Sequence, residues 1–250
     1  MYTLKKSLGQ HFLKDEGICK KIVEQLNGCV FTNLVEVGPG GGALTKYLLQ
    51  LQDINFKAVE LDDEKVIFLK NAYPQLEDKI IAKSILEIDK PFDGTFAVIG
   101  NFPYNISTEI VFKMIDWKED VQCMIGMFQK EVAQRLAAKE GSKIYGVTSV
   151  LTQAYYDVAY LFEVDESNFT PPPKVKSAVI RMTPRSDELA MKSSEKFKQL
   201  VKAAFNQRRK TLRNAVKPYF IGDALQDPIF DKRAEQLSVA DFAALTFQMQ

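Results

Sequence analysis

The sequence predicts an α/β protein: a mostly parallel sheet ending in an antiparallel strand, followed by a small all-helical C-terminal domain. Three observations lead there. Short apolar runs alternate with stretches of helical periodicity from Leu34 to Lys139, the signature of strands joined by crossover helices. Two strand-like runs follow with no room for a long helix between them. From Ser193 onward only helical periodicity remains, so a domain boundary is expected near residue 186, giving domains 1–186 and 187–250.

Leu34–Val37 is an apolar run that ends in a glycine-rich turn, and Ala43–Leu51 behind it carries apolar residues at helical spacing. The pattern repeats with a strand at Phe56–Leu61 and a helical stretch to Asn71, then with Lys79–Ala82. It continues with Phe96–Gly100 before a helix at Ser107–Ile115, and Val121–Phe128 before Lys130–Lys139. Near-continuous apolar runs of this kind belong to parallel strands covered on both faces. Ala154–Val164 and Val175–Met182 read as the closing antiparallel pair, separated by the turn-rich Asn168–Lys174 with its three consecutive prolines.

A chain of 250 residues with 46% hydrophobic content can bury a full core, which excludes a disordered or fibrous protein. Lysine and arginine number 33 against 32 acids, so net charge is silent on nucleic acid and distribution must decide. Cys19, Cys29 and Cys123 contain no C-x-x-C pair, which argues against a disulfide framework and a zinc site, and a reducing cytoplasm is expected. No apolar signal core opens the chain, no run is long enough to span a membrane, and no membrane association is expected.

Val37-Gly38-Pro39-Gly40-Gly41-Gly42-Ala43 lies between a strand and a helix. Glycines there let the backbone approach a ligand, and the helix start offers free N–H groups. Glu60, at the end of the next strand, is placed to accept from a ribose diol. Gly38, Gly40, Ala43 and Glu60 also satisfy a nicotinamide fingerprint, so this loop does not choose between nucleotide cofactors. A ligand-free glycine turn is the bland alternative.

Gly100-Asn101-Phe102-Pro103-Tyr104 ends the fourth strand, where open α/β sheets place ligands. These residues suit methylation of an adenine amino group, whose lone pair is delocalised into the ring. Two acceptors on its hydrogens would turn that lone pair toward an electrophilic methyl group. Asn101 can supply a side-chain oxygen, and Pro103 biases Phe102 toward an extended backbone that can offer its carbonyl. Tyr104 can stack on the base, and Phe169 is a candidate for the base's other face. Core packing is the bland alternative for the three aromatics. No general base is needed, because catalysis would come from positioning and hydrogen bonding.

With these segments in view, the chain resembles the ribosomal RNA adenine dimethyltransferase family, and its bacterial small-subunit branch in particular. The likeness rests on Lys6 to Leu13, Glu36 to Gly40, Glu60-Leu61-Asp62, Gly100 to Thr108, Phe169 to Val175, and Ala204 to Asn214. It implies a Rossmann-like class I S-adenosylmethionine-dependent methyltransferase sheet, with S-adenosylhomocysteine as product and no metal. It further implies dimethylation of two adjacent adenines in a hairpin loop near the 3′ end of 16S ribosomal RNA, late in 30S assembly, by a cytoplasmic monomer. By motif position His11 and Leu13 would close over the methionine end, Gly38 and Gly40 would line the loop, and Glu60 would hold the ribose. Leu61, Ser84, Ile85 and Asn101 complete the implied cofactor set.

Three positions depart from the family pattern: Phe102 replaces leucine, His11 replaces asparagine, and Ser84 replaces aspartate. The first two are expected to keep their contacts. Ser84 is expected to weaken cofactor binding, because a neutral hydroxyl accepts more weakly than a carboxylate.

If Phe205–Lys217 is one helix, Phe205, Leu212 and Val216 form an apolar stripe. Arg209, Lys210, Arg213 and Lys217 then share an adjoining face without an acid, and Arg208 flanks the stripe. Such a cluster suits RNA phosphates, with a solvated basic face as the alternative. Three rival functions remain: a nicotinamide-dependent oxidoreductase, which leaves Asn101–Tyr104 unexplained; a non-catalytic ribosome assembly factor; and a large-subunit RNA adenine methyltransferase of the antibiotic-resistance type.

Overall fold

The computed structural model describes residues 11–250, so the Lys6–Gln10 part of the first motif lies outside the described residues. The chain divides into two compact units, residues 1–133 with 158–184, and residues 134–157 with 185–250. The sequence-read boundary near 186 sits beside the second junction, and residues 134–157 group with the C-terminal segment.

In the first unit a seven-stranded sheet is built from β2 (Asn33–Val37), β3 (Asn55–Val59), β4 (Ile80–Ile81), β5 (Phe96–Asn101), β6 (Val121–Gln129), β7 (Tyr156–Val164) and β9 (Ser177–Pro184). Its order is β4-β3-β2-β5-β6-β9-β7. The first five run parallel, with Glu36 beside Ala58 and Ile99, and Asn101 beside Met127. β9 pairs antiparallel with β6, Phe128 opposite Ala178. It therefore lies between β6 and β7, so the two closing strands read from the sequence are neighbours and β7 takes the sheet edge.

Burial explains these strands. Every residue of β2 after Asn33, and every residue of β5 before Asn101, is buried, as parallel strands between helical layers require. Helices α1 (Glu16–Glu24), α3 (Asp63–Ala72) and α4 (Ser107–Asp116) cover the sheet. The first two begin at aspartates: Ile18 N–H donates to Asp15 at 2.8 Å, and Glu64 N–H to Asp62 at 3.2 Å. The helix after the glycine turn, α2, is regular only over Thr45–Leu48, and α5 spans Lys130–Leu136, both shorter than expected. A two-stranded ribbon was not anticipated: β1 (Phe12–Leu13) pairs antiparallel with β8 (Phe169–Thr170).

Cys29 and Cys123 are joined as a disulfide, with Cα atoms 6.0 Å apart. This overturns the expectation of unpaired thiols. The turn after α1 brings Cys29, distant in sequence, beside the start of β6, a proximity that cysteine spacing does not carry. Cys19 stays free and buried, and burial pushes its thiol up to about 11.

The second unit contains α6 (Val147–Gln153), α7 (Ser194–Asn206), α8 (Leu212–Val216) and α9 (Val239–Leu245), with short 3-10 turns and no strand beyond residues 156–157 of β7. Phe197, Leu200, Val201 and Ala204 give α7 a buried stripe, and Ser238 with Asp241 forms a capping box on α9. The continuous helix over Phe205–Lys217 is not formed: α7 ends at Asn206 and α8 starts at Leu212. Among the described residues no helix is long and apolar enough to cross a membrane.

Candidate active site

The carboxyl ends of β2, β3 and β5, and the loop after β4, converge on one cleft in the first unit, with about 1170 Å³ of space that includes open solvent. This is where strand order reverses, β3 lying on one side of β2 and β5 on the other. His11, Leu13, Gly38, Gly40, Glu60, Leu61, Ser84, Ile85, Asn101, Phe102, Pro103 and Tyr104 all border it. The implied cofactor set and the motif at the end of β5 thus share one cavity, although they run from His11 to Tyr104 in the chain.

The glycine turn takes a backbone that side chains resist. Gly38 has φ +70° and Gly40 φ +56°, left-handed conformations that cost other residues about 1–2 kcal/mol. A Cβ on Gly40 would also stand 2.9 Å from the Phe12 ring. Glu60, buried at the cleft edge, ties this turn to β3: one carboxylate oxygen accepts from Gly40 N–H and the other from Asp62 N–H, both at 3.0 Å. Each oxygen keeps a second lone pair for a ligand.

Asn101 donates from Nδ2 to the His11 carbonyl at 2.9 Å. A carbonyl can only accept, so this contact identifies the amide nitrogen and leaves Oδ1 as the atom available to a substrate donor. Phe102 is buried, its N–H donates to Met127 at 3.2 Å, and its ring meets Phe128 edge-on at 5.2 Å. Tyr104 shares a 2.5 Å hydrogen bond with Ser177 and stacks on the His11 ring at 5.5 Å. Burial raises the Tyr104 hydroxyl above its ordinary pKa. His11 itself is anchored through Nδ1 to the Pro171 carbonyl at 2.9 Å.

Phe169 does not join them. Its ring is 1% exposed and packs in the core with Leu13, its ladder partner. It is absent from the lining of the cleft, although Leu13, beside it in the same buried cluster, does border the cavity. Ser84 does reach the cleft, where its hydroxyl accepts from Leu86 N–H at 3.3 Å.

Two groups were missed. Glu36 borders the cleft from β2, is 1% exposed and accepts from the Thr45 hydroxyl at 2.7 Å. Burial, reinforced by the neighbouring Glu60, pushes its carboxyl up to about 8 against the opposing Thr45 bond. The signal was present, since an acid inside Leu34-Val35-Glu36-Val37 interrupts a strand buried on both faces. Lys65 is fully buried on α3, pairs with Asp62 at 3.4 Å and sits 4.8 Å from the Phe12 ring centroid.

In the second unit the basic cluster is dispersed. Arg208 pairs with Glu235 at 2.8 Å and donates to the Lys143 carbonyl, and Arg213 pairs with Asp231 at 2.8 Å. The continuous helix that defined the acid-free face is not formed; of that face's cations Arg213 meets an acid, and Arg208, from the stripe's other flank, meets another. Arg209, Lys210 and Lys217 remain exposed.

The family model described as "Ribosomal RNA adenine dimethylase" matches residues 1–249. "Ribosomal RNA small subunit methyltransferase A" of Cytophaga hutchinsonii is 52% identical over 248 residues, covering 97% of this chain and 95% of that protein. The protein of the same name from Bacteroides thetaiotaomicron is 52% identical over 252 residues, covering 98% and 94%. A dimethyladenosine transferase from Plasmodium falciparum superposes with TM-score 0.78 at 25% identity, over 93% of this chain and 94% of that one. The 23S rRNA methyltransferase ErmE shares the fold, with TM-score 0.70 at 20% identity over 95% and 100% of the two chains. The chain belongs to the ribosomal RNA adenine dimethylase family.

Proposed function

We propose that this enzyme dimethylates the amino groups of two adjacent adenines in a hairpin loop near the 3′ end of 16S ribosomal RNA, using S-adenosylmethionine. Its setting is the assembling 30S subunit in the cytoplasm, and it works as a monomer. Family membership and relatives about half identical over almost their whole length support this reading. It also disfavours the oxidoreductase and the non-catalytic rivals, because Asn101, Pro103 and Tyr104 are present and gathered on the cleft.

The cleft suits the cofactor chemically. Its left-handed glycine turn admits a ligand close to the backbone, Glu60 offers acceptors to a diol, Leu61 and Ile85 offer apolar surface to a purine, and the acids Glu36 and Glu60 suit a cation. When bound, S-adenosylmethionine supplies a methyl group activated by its sulfonium. The protein's task is to orient the acceptor nitrogen. Asn101 Oδ1 and the Phe102 carbonyl accept the two amino hydrogens, turning the lone pair out of conjugation and toward the methyl carbon. Tyr104, held by His11 and Ser177, gives the base a rigid stacking platform. The proton leaves to solvent after the nitrogen is alkylated.

The Asn101-to-His11 hydrogen bond carries this reading, because it leaves an amide oxygen as the acceptor at the cleft. The test incubates the protein with labelled S-adenosylmethionine and methyl-deficient 30S subunits, then maps modified adenines by primer extension. Two adjacent stops are expected, and Asn101→Ala is expected to lower turnover about 100–1000-fold, as for other oriented polar groups. Label confined to 23S RNA, or full activity in Asn101→Ala, refutes the reading.

A further inference from the structure

Glu36 is a buried carboxyl in the cleft wall. It lies on β2 between Ala58 of β3 and Ile99 of β5, is buried, and among the described residues has no ion-pair partner. Thr45 is its hydrogen-bond donor, through the hydroxyl on one carboxyl oxygen and through the backbone. Among the described residues, no cation contributes to the balance of charges on it. Glu60 faces it from the end of β3 and opposes its ionisation, and Tyr73, after α3, feels its charge. Lys65 of α3 shares the cleft but is committed to Asp62 and the Phe12 ring, and Lys83 borders the cleft after β4. Burial without an opposite charge outweighs the Thr45 hydrogen bonds and favours the neutral carboxylic acid.

We infer that Glu36 is protonated in the free enzyme and releases its proton to solvent when cationic S-adenosylmethionine enters the cleft, so that this residue discriminates the sulfonium substrate from the neutral thioether product. The inference rests on the cofactor reading given above. The physical reason is linkage: a ligand that binds the ionised form of a group more tightly displaces that group's proton, and one without a positive sulfur gains less from doing so. A carboxyl raised to about 8 by burial, with Glu60 adding to it, holds its proton at neutral pH. Affinity for S-adenosylmethionine therefore rises with pH toward that value and levels off above it, while affinity for S-adenosylhomocysteine stays nearly flat. Glu36 acts as a specificity-determining group that lets product leave a site shaped for substrate.

The test is calorimetry at pH 6.5, where the amino groups of both ligands carry their protons, in two buffers of different ionisation enthalpy. S-adenosylmethionine is expected to release about half a proton or more per site, and S-adenosylhomocysteine close to none. In Glu36→Gln, which keeps an acceptor for Thr45, the release is expected to vanish and the preference for substrate over product to fall several-fold. Equal proton counts for the two ligands in the wild-type protein overturn the inference whether or not the variant folds. Release that persists in a Glu36→Gln protein still able to bind S-adenosylhomocysteine also overturns it. Binding of both ligands without proton release leaves the cofactor assignment standing, whereas absence of binding by either ligand defeats both.

Discussion

Asn101 spends an amide hydrogen on the His11 carbonyl and keeps its oxygen for the cleft, and the same accounting distinguishes Ser84, Ser177 and Glu36. Ser84 presents a neutral hydroxyl to the cavity. A carboxylate there would accept more strongly from a ligand N–H, so Ser84→Asp is expected to tighten S-adenosylmethionine binding about fivefold, or ~1 kcal/mol; calorimetry showing no gain refutes this. Ser177 is buried on β9 and holds the Tyr104 hydroxyl. Ser177→Ala strands a largely buried hydroxyl, which costs about 1–3 kcal/mol, seen as a lower urea midpoint, and it should reduce methyl transfer without changing cofactor affinity. At Glu36 the folded carboxyl sits near 8 against an ordinary 4.5. The native state thus holds a proton that the unfolded chain gives up, and stability falls as pH rises between those values, then levels. Glu36→Gln, neutral throughout, is expected to gain melting temperature over wild type as pH goes from 5 to 8; a constant difference would contradict the assignment.

Among the elements, the parallel strands were legible because their residues are buried on both faces and their runs are apolar almost throughout, Glu36 being the exception in β2. Strand-four chemistry was legible for a related reason, since a sheet of this kind exposes its active residues at strand ends. The β1–β8 ribbon was not, because two-residue strands have no periodicity to read. The burial of Phe169, weighed as the alternative to a base contact, accompanies that ribbon. The long C-terminal helix failed differently: Gln207–Lys210 carries good helix formers, yet Arg208 leaves the helical path to meet Glu235 and Lys143, a tertiary contact overriding a weak propensity. The contact between β2 and β5 yields a prediction at this scale. A Cβ on Gly100 would lie 2.4 Å from the Val37 carbonyl oxygen and 2.7 Å from the Phe102 ring, where neither backbone can yield without moving the strands that present Asn101 and the glycine turn. Gly100→Ala is expected to cost about 1–3 kcal/mol and to weaken cofactor binding as well. Chemical denaturation and calorimetry check the two effects, and an unperturbed variant would show that the strands have slack there.

Over the whole molecule, a net charge of +1 says little about an RNA substrate, and the distribution of cations carries the argument instead. Of the five basic residues singled out from the sequence, Arg208 and Arg213 are bound to acids of their own unit, Glu235 and Asp231. They act first as structural ties, and reversing them would confound binding with folding. Arg209 and Lys210 are exposed at the break between α7 and α8, where a bent backbone can follow a phosphate chain. If they contact RNA phosphates, each releases about one counterion, and binding weakens with salt accordingly. The double variant Arg209→Glu, Lys210→Glu is expected to reduce the magnitude of the log–log salt slope for RNA binding by about 2 and to leave cofactor affinity unchanged. Arg208→Glu should instead lower the melting temperature, because it sets two acids side by side. Filter binding of methyl-deficient 30S subunits across a salt series measures the first effect and thermal denaturation the second. An unaltered slope in the double variant would move the RNA contact away from this turn, while an altered slope with intact cofactor binding would locate phosphate recognition in a segment that takes no part in the methyl-transfer cleft.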